Sequence, residues 1–348
     1  MPALDGLRGL AILLVLVGHV VGFNGAGLVG VLLFFVLSGY LITSILLKEV
    51  DLRGGVDLRA FYVRRALRLL PALALLLVLL VLLSLLGVTR SAPSLVLRGS
   101  LQAMFYVTDF VLGLNLEFTP ELAHLWTLAV EEQFYSLWPI VIVLLLSGSR
   151  ARRMRVLGWM LAASVLLRLL TVLVGMRQDW FFYALPTCWF ECLLAGALLA
   201  VRGVGSDRSP PARPKGRQAA TALCWGLILV AALHPATFLS PITYVLGIPA
   251  LTAAALGLVA CACALDGGMT KRALSTASLR WLGQHSYGLY LYNSTAILVV
   301  GQWAGPGLGS RALGAGLALG LAVMSRRSVE VPALRLKGRL RAVATEVA

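Results

Sequence analysis

Apolar runs recur along this chain from end to end, most of them near the ~20 residues that an α-helix needs to cross ~30 Å of hydrocarbon. They fall at about 9–23, 28–47, 67–88, 125–146, 156–174, 184–201, 218–233, 242–265, 282–303 and 308–324. With 59% hydrophobic residues and only 13% charged ones, against roughly 25% charged in an ordinary soluble domain, the chain belongs in a membrane. Its fold class is therefore expected to be all-α: a polytopic integral membrane protein of about ten transmembrane helices. It reads as one membrane-embedded domain over 1–348, with no stretch left over for an appended soluble domain.

The first run has no cleavage site after it and a second run follows at once, so it reads as a signal anchor. A net charge of +15 raises the question of nucleic acid. A nucleic-acid face gathers its basic residues into one polar patch, and here they lie in short loops between apolar runs, so no nucleic-acid partner is expected. The stretch 96–114 is only semi-apolar, interrupted by Arg98, Gln102 and Asp109.

Cytoplasmic loops carry the excess of Lys and Arg, and this decides how the stretch is read. If it crossed once, Arg150, Arg152, Arg153 and Arg155 would lie outside, together with the basic loop 202–217. If it is re-entrant or interfacial, every strongly basic loop falls on one side. Only Arg90, Arg98, Arg177 and Arg311 are then outside, with Arg168 inside a span. Ten spans with both termini in the cytoplasm is the arrangement this predicts, and the Pro-containing loop 202–217 reads as a flexible cytoplasmic connection. The five cysteines, Cys188, Cys192, Cys224, Cys261 and Cys263, all lie in apolar runs without zinc-like spacing. They read as small buried hydrophobes, and no metal is expected.

The first run is bracketed by Arg8 and His19. At ~100° per residue these return to within about 20° of one direction three turns apart, with ~16 Å between them along the axis. If Arg8 marks the inner boundary, His19 lies near mid-membrane, where an ionisable residue is a functional candidate by default. Thr119-Pro120 reads as a helix start, with Thr as cap and Pro in the first turn. On the helix that follows, Trp126 suits the interface, and Glu131 lies ~8 Å deeper, close to the expected depth of His19. Glu131 shares a helical face with His124, and Glu132 points elsewhere.

A neutral imidazole with a carboxylate in a cleft is equipped to take a proton from a hydroxyl. Arg65 and Arg68, three apart, can clamp phosphate groups or serve as a positive-inside flank.

Five ordered stretches resemble the acyltransferase family 3 membrane proteins: Leu4-Asp-Gly-Leu-Arg8-Gly9 with His19, Phe34-Phe-Val-Leu-Ser38-Gly39-Tyr40, Arg64-Arg65-Ala-Leu-Arg68-Leu-Leu-Pro71, Leu125 through Pro139 with Glu131-Glu132 and Tyr135, and Leu282-Gly-Gln-His-Ser286-Tyr287-Gly288. The resemblance implies a ten- or eleven-span O-acyltransferase. Such an enzyme takes acetyl or another short acyl group from cytoplasmic acyl-CoA, a co-substrate in place of any permanently bound cofactor. It places that group on a hydroxyl of a surface glycan or of a glycosylated natural product such as a macrolide.

Residue by residue, the resemblance implies that Arg8 and His19 form the first-span motif, with His19 as base or acyl-handling residue. It associates Arg65 and Arg68 with acyl-CoA, places Glu131, Glu132 and Tyr135 in the outer-mouth motif with Glu131 or Glu132 as the catalytic carboxylate that orients the imidazole, and puts Ser38 and Tyr40 in the second-span motif. Two departures stand out. Asn293 takes a place where the family often has histidine, and Glu191, in Glu191-Cys-Leu-Leu-Ala-Gly196, replaces a shorter aspartate. The competing reading is a proton-coupled secondary transporter, in which midplane His, Glu and Arg form a relay between inverted repeats; no paired broken helices in corresponding halves support it.

Overall fold

The computed structural model describes residues 1–146, 148–178, 181–203, 217–234, 240–264 and 268–335. The segment 204–216, most of the expected flexible loop, lies outside them. Among the described residues there is no strand. The helices are α1 Pro2–Val21, α2 Asn24–Arg53, α3 Leu58–Leu85, α4 Pro93–Met104, α5 Thr108–Gly113, α6 Trp126–Leu146, α7 Arg150–Arg177, α8 Phe190–Val201, α9 Arg217–Leu233, α10 Ile248–Cys263, α11 Met269–Leu274, α12 Ala277–Ala304 and α13 Leu308–Ser325.

The chain is all-α and polytopic as expected, but the count of spans differs. Among the described residues seven helices are long and apolar enough to cross a membrane, against the expected ten. The other three expected spans coincide with α8, α9 and α12. Helix α8 has 12 residues, ~18 Å of rise, because two 3-10 turns, Phe182–Ala184 and Pro186–Cys188, take up the chain before it. Helix α12 has 28 residues but carries Arg280, Gln284, His285, Asn293 and Gln302.

Two compact units are present. The first comprises Met1–Val56, Tyr106–Glu117 and Trp126–Gln284. Helix α2 is its most enclosed element, with 78% of its most apolar window buried, against 22% for α7. Small residues set this packing. A methyl group at Gly39 would overlap the Leu193 carbonyl, and one at Gly196 the Val36 carbonyl, so α2 and α8 cross backbone to backbone. Gly9 and Gly283 do the same for α1 and α12, against the carbonyls of Leu279 and Asp5.

Helices α1 and α2 form an antiparallel hairpin, with Gly18 against Gly27 and Gly30 against the Ala11 carbonyl. Helices α2 and α6, by contrast, run parallel. Phe35 meets Trp126 with ring centroids 6.4 Å apart, Ser38 meets Glu131, and Thr43 meets Trp138, three rungs ascending together.

The second unit comprises Asp57–Phe105, Phe118–Leu125 and His285–Ala348. Asp57 caps α3 by accepting from the Ala60 amide at 2.8 Å. Thr119 does not cap a helix as expected: its hydroxyl donates to the Leu95 carbonyl at 2.9 Å. Pro120–Leu125 winds as a 3-10 helix at 3.0 residues per turn, so the seven-residue spacing of His124 and Glu131 no longer defines one α-helical face. The Tyr287 hydroxyl donates to the Leu69 carbonyl at 2.7 Å, tying α12 to α3.

Candidate functional site

Glu131, Tyr135 and Trp138 recur at i, i+4 and i+7 on α6 and so share one face. That face lies against α2. The hydroxyls of Ser38 and Tyr135 both donate to Glu131 Oε1, the tyrosine at 2.8 Å. Among the described residues no hydrogen bond reaches Oε2, and Glu131 is half-buried. Trp138 Nε1 donates to Thr43 Oγ1 at 2.8 Å, and Thr43 donates in turn to the Gly39 carbonyl at 2.7 Å. Phe134 stacks on Trp138 at 4.7 Å.

At the other end of this seam Trp126 packs against Phe35, Tyr183 and Trp189. It is 6% exposed, so it is not the interfacial anchor that its sequence position suggested. Aromatic partners from α2 and from the segment before α8 enclose it, which no local pattern announces.

Arg8 and His19 lie on one unbroken helix, α1, and do share a face. His19 occupies the last turn and is half-buried. Helix α1 begins at Pro2, not near residue 9, so His19 stands toward a helix end and not at mid-length. The Gly18–Gly27 contact sets it at the level of Gly27, and Ser38 with Glu131 lies about 17 Å further along α2. The common depth expected of His19 and Glu131 is therefore not what the helices give, and His19 is not among the partners of Glu131. Glu132, one position on, is buried.

Glu191 is engaged in a buried ion pair. Arg168 Nε donates to its Oε2 at 2.7 Å, with side chains 1% and 3% exposed. Arg168 Nη1 also donates to the Tyr244 carbonyl, within a π-helical turn, Thr243–Gly247. The Tyr40 hydroxyl accepts from Cys263 Sγ at 3.1 Å, and all five cysteines are free thiols.

Sequence reasoning noted Asp109 only as an interruption. It is fully buried, and Gln133 Nε2 donates to its two oxygens at 3.0 and 2.9 Å and to the Tyr106 carbonyl at 2.9 Å. Gln133 thereby holds a turn in which Tyr106 has φ 53°, a conformation that bulky residues adopt only under constraint. Burial pushes the Asp109 carboxyl from 3.8 up to about 6, and hydrogen bonds from Gln133 and the backbone oppose this.

The fold thus holds a proton that the unfolded chain gives up. Its contribution is fully present below about pH 4 and is lost as the pH rises through about 6. Asp109→Asn is therefore expected to raise the thermal midpoint at pH 7, where the ionised acid costs on the order of 2–3 kcal/mol, and to leave it nearly unchanged near pH 4. Melting curves in detergent across that range check it, and equal shifts at both pH values would refute it.

In the second unit, His124 Nε2 donates to the Leu291 carbonyl at 3.1 Å, and the His124 carbonyl accepts from the Tyr290 hydroxyl. Asn293 is fully buried and gives its amide hydrogens to the carbonyls of Leu289 and Tyr290, at 3.1 and 2.6 Å. Glu121, which sequence reasoning missed, is fully buried. It accepts from Ser91 on both oxygens and from Gln302 at 2.9 Å. Arg65 is half-buried and Arg68 exposed, both in the first three turns of α3.

The chain matches the Acyl_transf_3 acyltransferase domain over residues 1–325. It belongs to acyltransferase family 3. Among curated proteins it is 34% identical over 312 residues to the "Putative peptidoglycan O-acetyltransferase YrhL" of Bacillus subtilis, covering 86% of this chain and 49% of that protein. It is 30% identical over 356 residues to the "Peptidoglycan O-acetyltransferase OatA" of Listeria monocytogenes, covering 95% and 55%. The chain spans about half the length of these relatives. No solved structure matches it.

The stretches that carry the family resemblance do structural work in this fold. Ser38 of α2 reaches Glu131 and Gly39 admits α8; Trp138 fastens α6 to α2 and Tyr135 holds Glu131 from within α6; Gly9 and Gly283 bring α1 and α12 together.

Proposed function

We propose that this chain is an integral membrane O-acyltransferase. It moves acetyl or another short acyl group from acyl-CoA to a hydroxyl of a sugar-containing acceptor, a cell-surface glycan of the kind its relatives are named for. The observation that carries this reading is the match to the acyltransferase domain over residues 1–325.

In this reading the neutral His19 imidazole takes the proton of the acceptor hydroxyl, and the oxygen attacks the thioester carbonyl. The carbon–sulfur bond breaks, and the departing CoA thiolate takes the proton back from the imidazolium. Arg65 and Arg68 hold the CoA phosphates, a task suited to guanidinium groups. Arg8 marks the cytoplasmic end of the first span, both termini are cytoplasmic, and acyl-CoA is consumed as a co-substrate.

The test is purified protein in liposomes with labelled acetyl-CoA and an N-acetylglucosamine oligomer as acceptor. Formation of the sugar ester is the expected result. Absence of any thioester consumption, with proton-linked solute movement instead, would make the protein a transporter. A glycosylated macrolide tested in parallel separates the two acceptor classes. Replacing Arg65 and Arg68 together by glutamine is expected to raise the KM for acetyl-CoA about tenfold, the loss of one or two charge-assisted contacts, with the acceptor KM unchanged. The reverse pattern would mean that these arginines only orient α3.

A further inference from the structure

We infer that Glu131 is the acceptor-binding carboxylate of this protein. Ser38 and Tyr135 act as positioning residues that fill its Oε1 and leave Oε2 open to a hydroxyl of a sugar unit of the glycan other than the one at His19, which lies about 17 Å away along α2. The inference rests on the acyl-transfer reading above.

Both hydroxyls converge on the same oxygen, which fixes the plane of the carboxylate and gives Oε2 one direction. The two donors stand on different helices, α2 and α6, and those helices are fastened one or two turns away by Trp138 and Thr43. A group held in this way is preorganised by rigid elements and not by a loop. Three buried carboxylates among the described residues are spent internally. Glu121 and Asp109 each have both oxygens met by Ser or Gln donors, and Glu191 is paired with Arg168.

Glu131 differs in being half-buried, with one oxygen that no described protein group satisfies. In a membrane bundle such a group faces an interior cavity or a polar ligand. A carboxylate only accepts hydrogen bonds, so the ligand must donate, and a polyhydroxylated sugar donates where a thioester carbonyl does not. Ser38 is 4% exposed and Tyr135 also 4%, too enclosed for either to hold the sugar itself.

The experiment uses the full chain in liposomes, with acetyl-CoA as donor and an N-acetylglucosamine oligomer as acceptor, and measures both KM values. Glu131→Gln is expected to raise the acceptor KM about tenfold and to leave the acetyl-CoA KM within twofold. Ser38→Ala and Tyr135→Phe are expected to raise the acceptor KM about threefold to tenfold, and Ser38→Thr, which keeps the hydroxyl, to restore it where Ser38→Val does not. In a Glu131→Ala background, Tyr135→Phe is expected to have no further effect.

A shift in the acetyl-CoA KM alone, additive losses in that background, or equal behaviour of Ser38→Thr and Ser38→Val would each overturn the inference. If Glu131→Ala has no measurable turnover, the Thr and Val comparison decides. An inactive wild-type protein would instead overturn the acyl-transfer reading itself.

Discussion

His19→Ala is expected to lower acyl transfer by at least about a hundredfold while the protein still inserts and purifies as before. General-base catalysis by a positioned imidazole is worth ~10²–10⁴ in rate, and a methyl group cannot accept the hydroxyl proton. The last turn of α1 leans on α2 through Gly18 and Gly27, so the helix keeps its packing when the ring is removed. The measurement is initial rate of ester formation at saturating acetyl-CoA and acceptor, alongside a thermal melt. More than about one-tenth of wild-type activity in the alanine protein would remove His19 from the proton-transfer role. His19→Gln keeps the polar contact but not the titratable nitrogen, and is expected to be equally inactive.

The largest loss of stability is expected from Arg168→Met. Removing one partner of a buried ion pair strands the other charge, at a cost of about 3–5 kcal/mol. Glu191 is 3% exposed and has no water to fall back on. The same substitution removes the hydrogen bond that Arg168 gives to the Tyr244 carbonyl in the π-helical turn. Changing both residues, Arg168→Met with Glu191→Leu, removes the stranded charge and is expected to recover most of the loss, since apolar replacement of an entire buried pair is often neutral. Thermal or chemical unfolding in detergent of the two single variants and the double variant measures this. A double variant as unstable as Arg168→Met alone would show that the pair contributes through shape and not through charge balance.

Glu191 also shows how a sequence pattern and a fold divide the information. The carboxylate was legible as a member of a family stretch, and Arg168 as a charge inside an apolar run, but nothing in the linear chain joined them. Twenty-three positions and two 3-10 turns separate the two. Asp109 and Gln133 are a similar case: each interrupts an apolar run, and the reason is the other. Trp126 erred in the opposite direction, since an aromatic at an expected boundary looks the same whether it faces headgroups or, as here, Trp189.

By itself the sequence determined that this protein is an all-α membrane protein and which family it belongs to. Hydropathy, charge and short motifs are local, and they survive reading one residue at a time. The tertiary structure alone decided that Glu131 meets Ser38 and Tyr135 and not His19, and that Glu191 is spent on Arg168. Helical periodicity tells which residues share a face of one helix. It does not tell how far one helix slides along another, and here that register is set between α1 and α2 by close backbone approach at Gly18, Gly27 and Gly30, and between α2 and α6 by the Phe35–Trp126 and Thr43–Trp138 contacts.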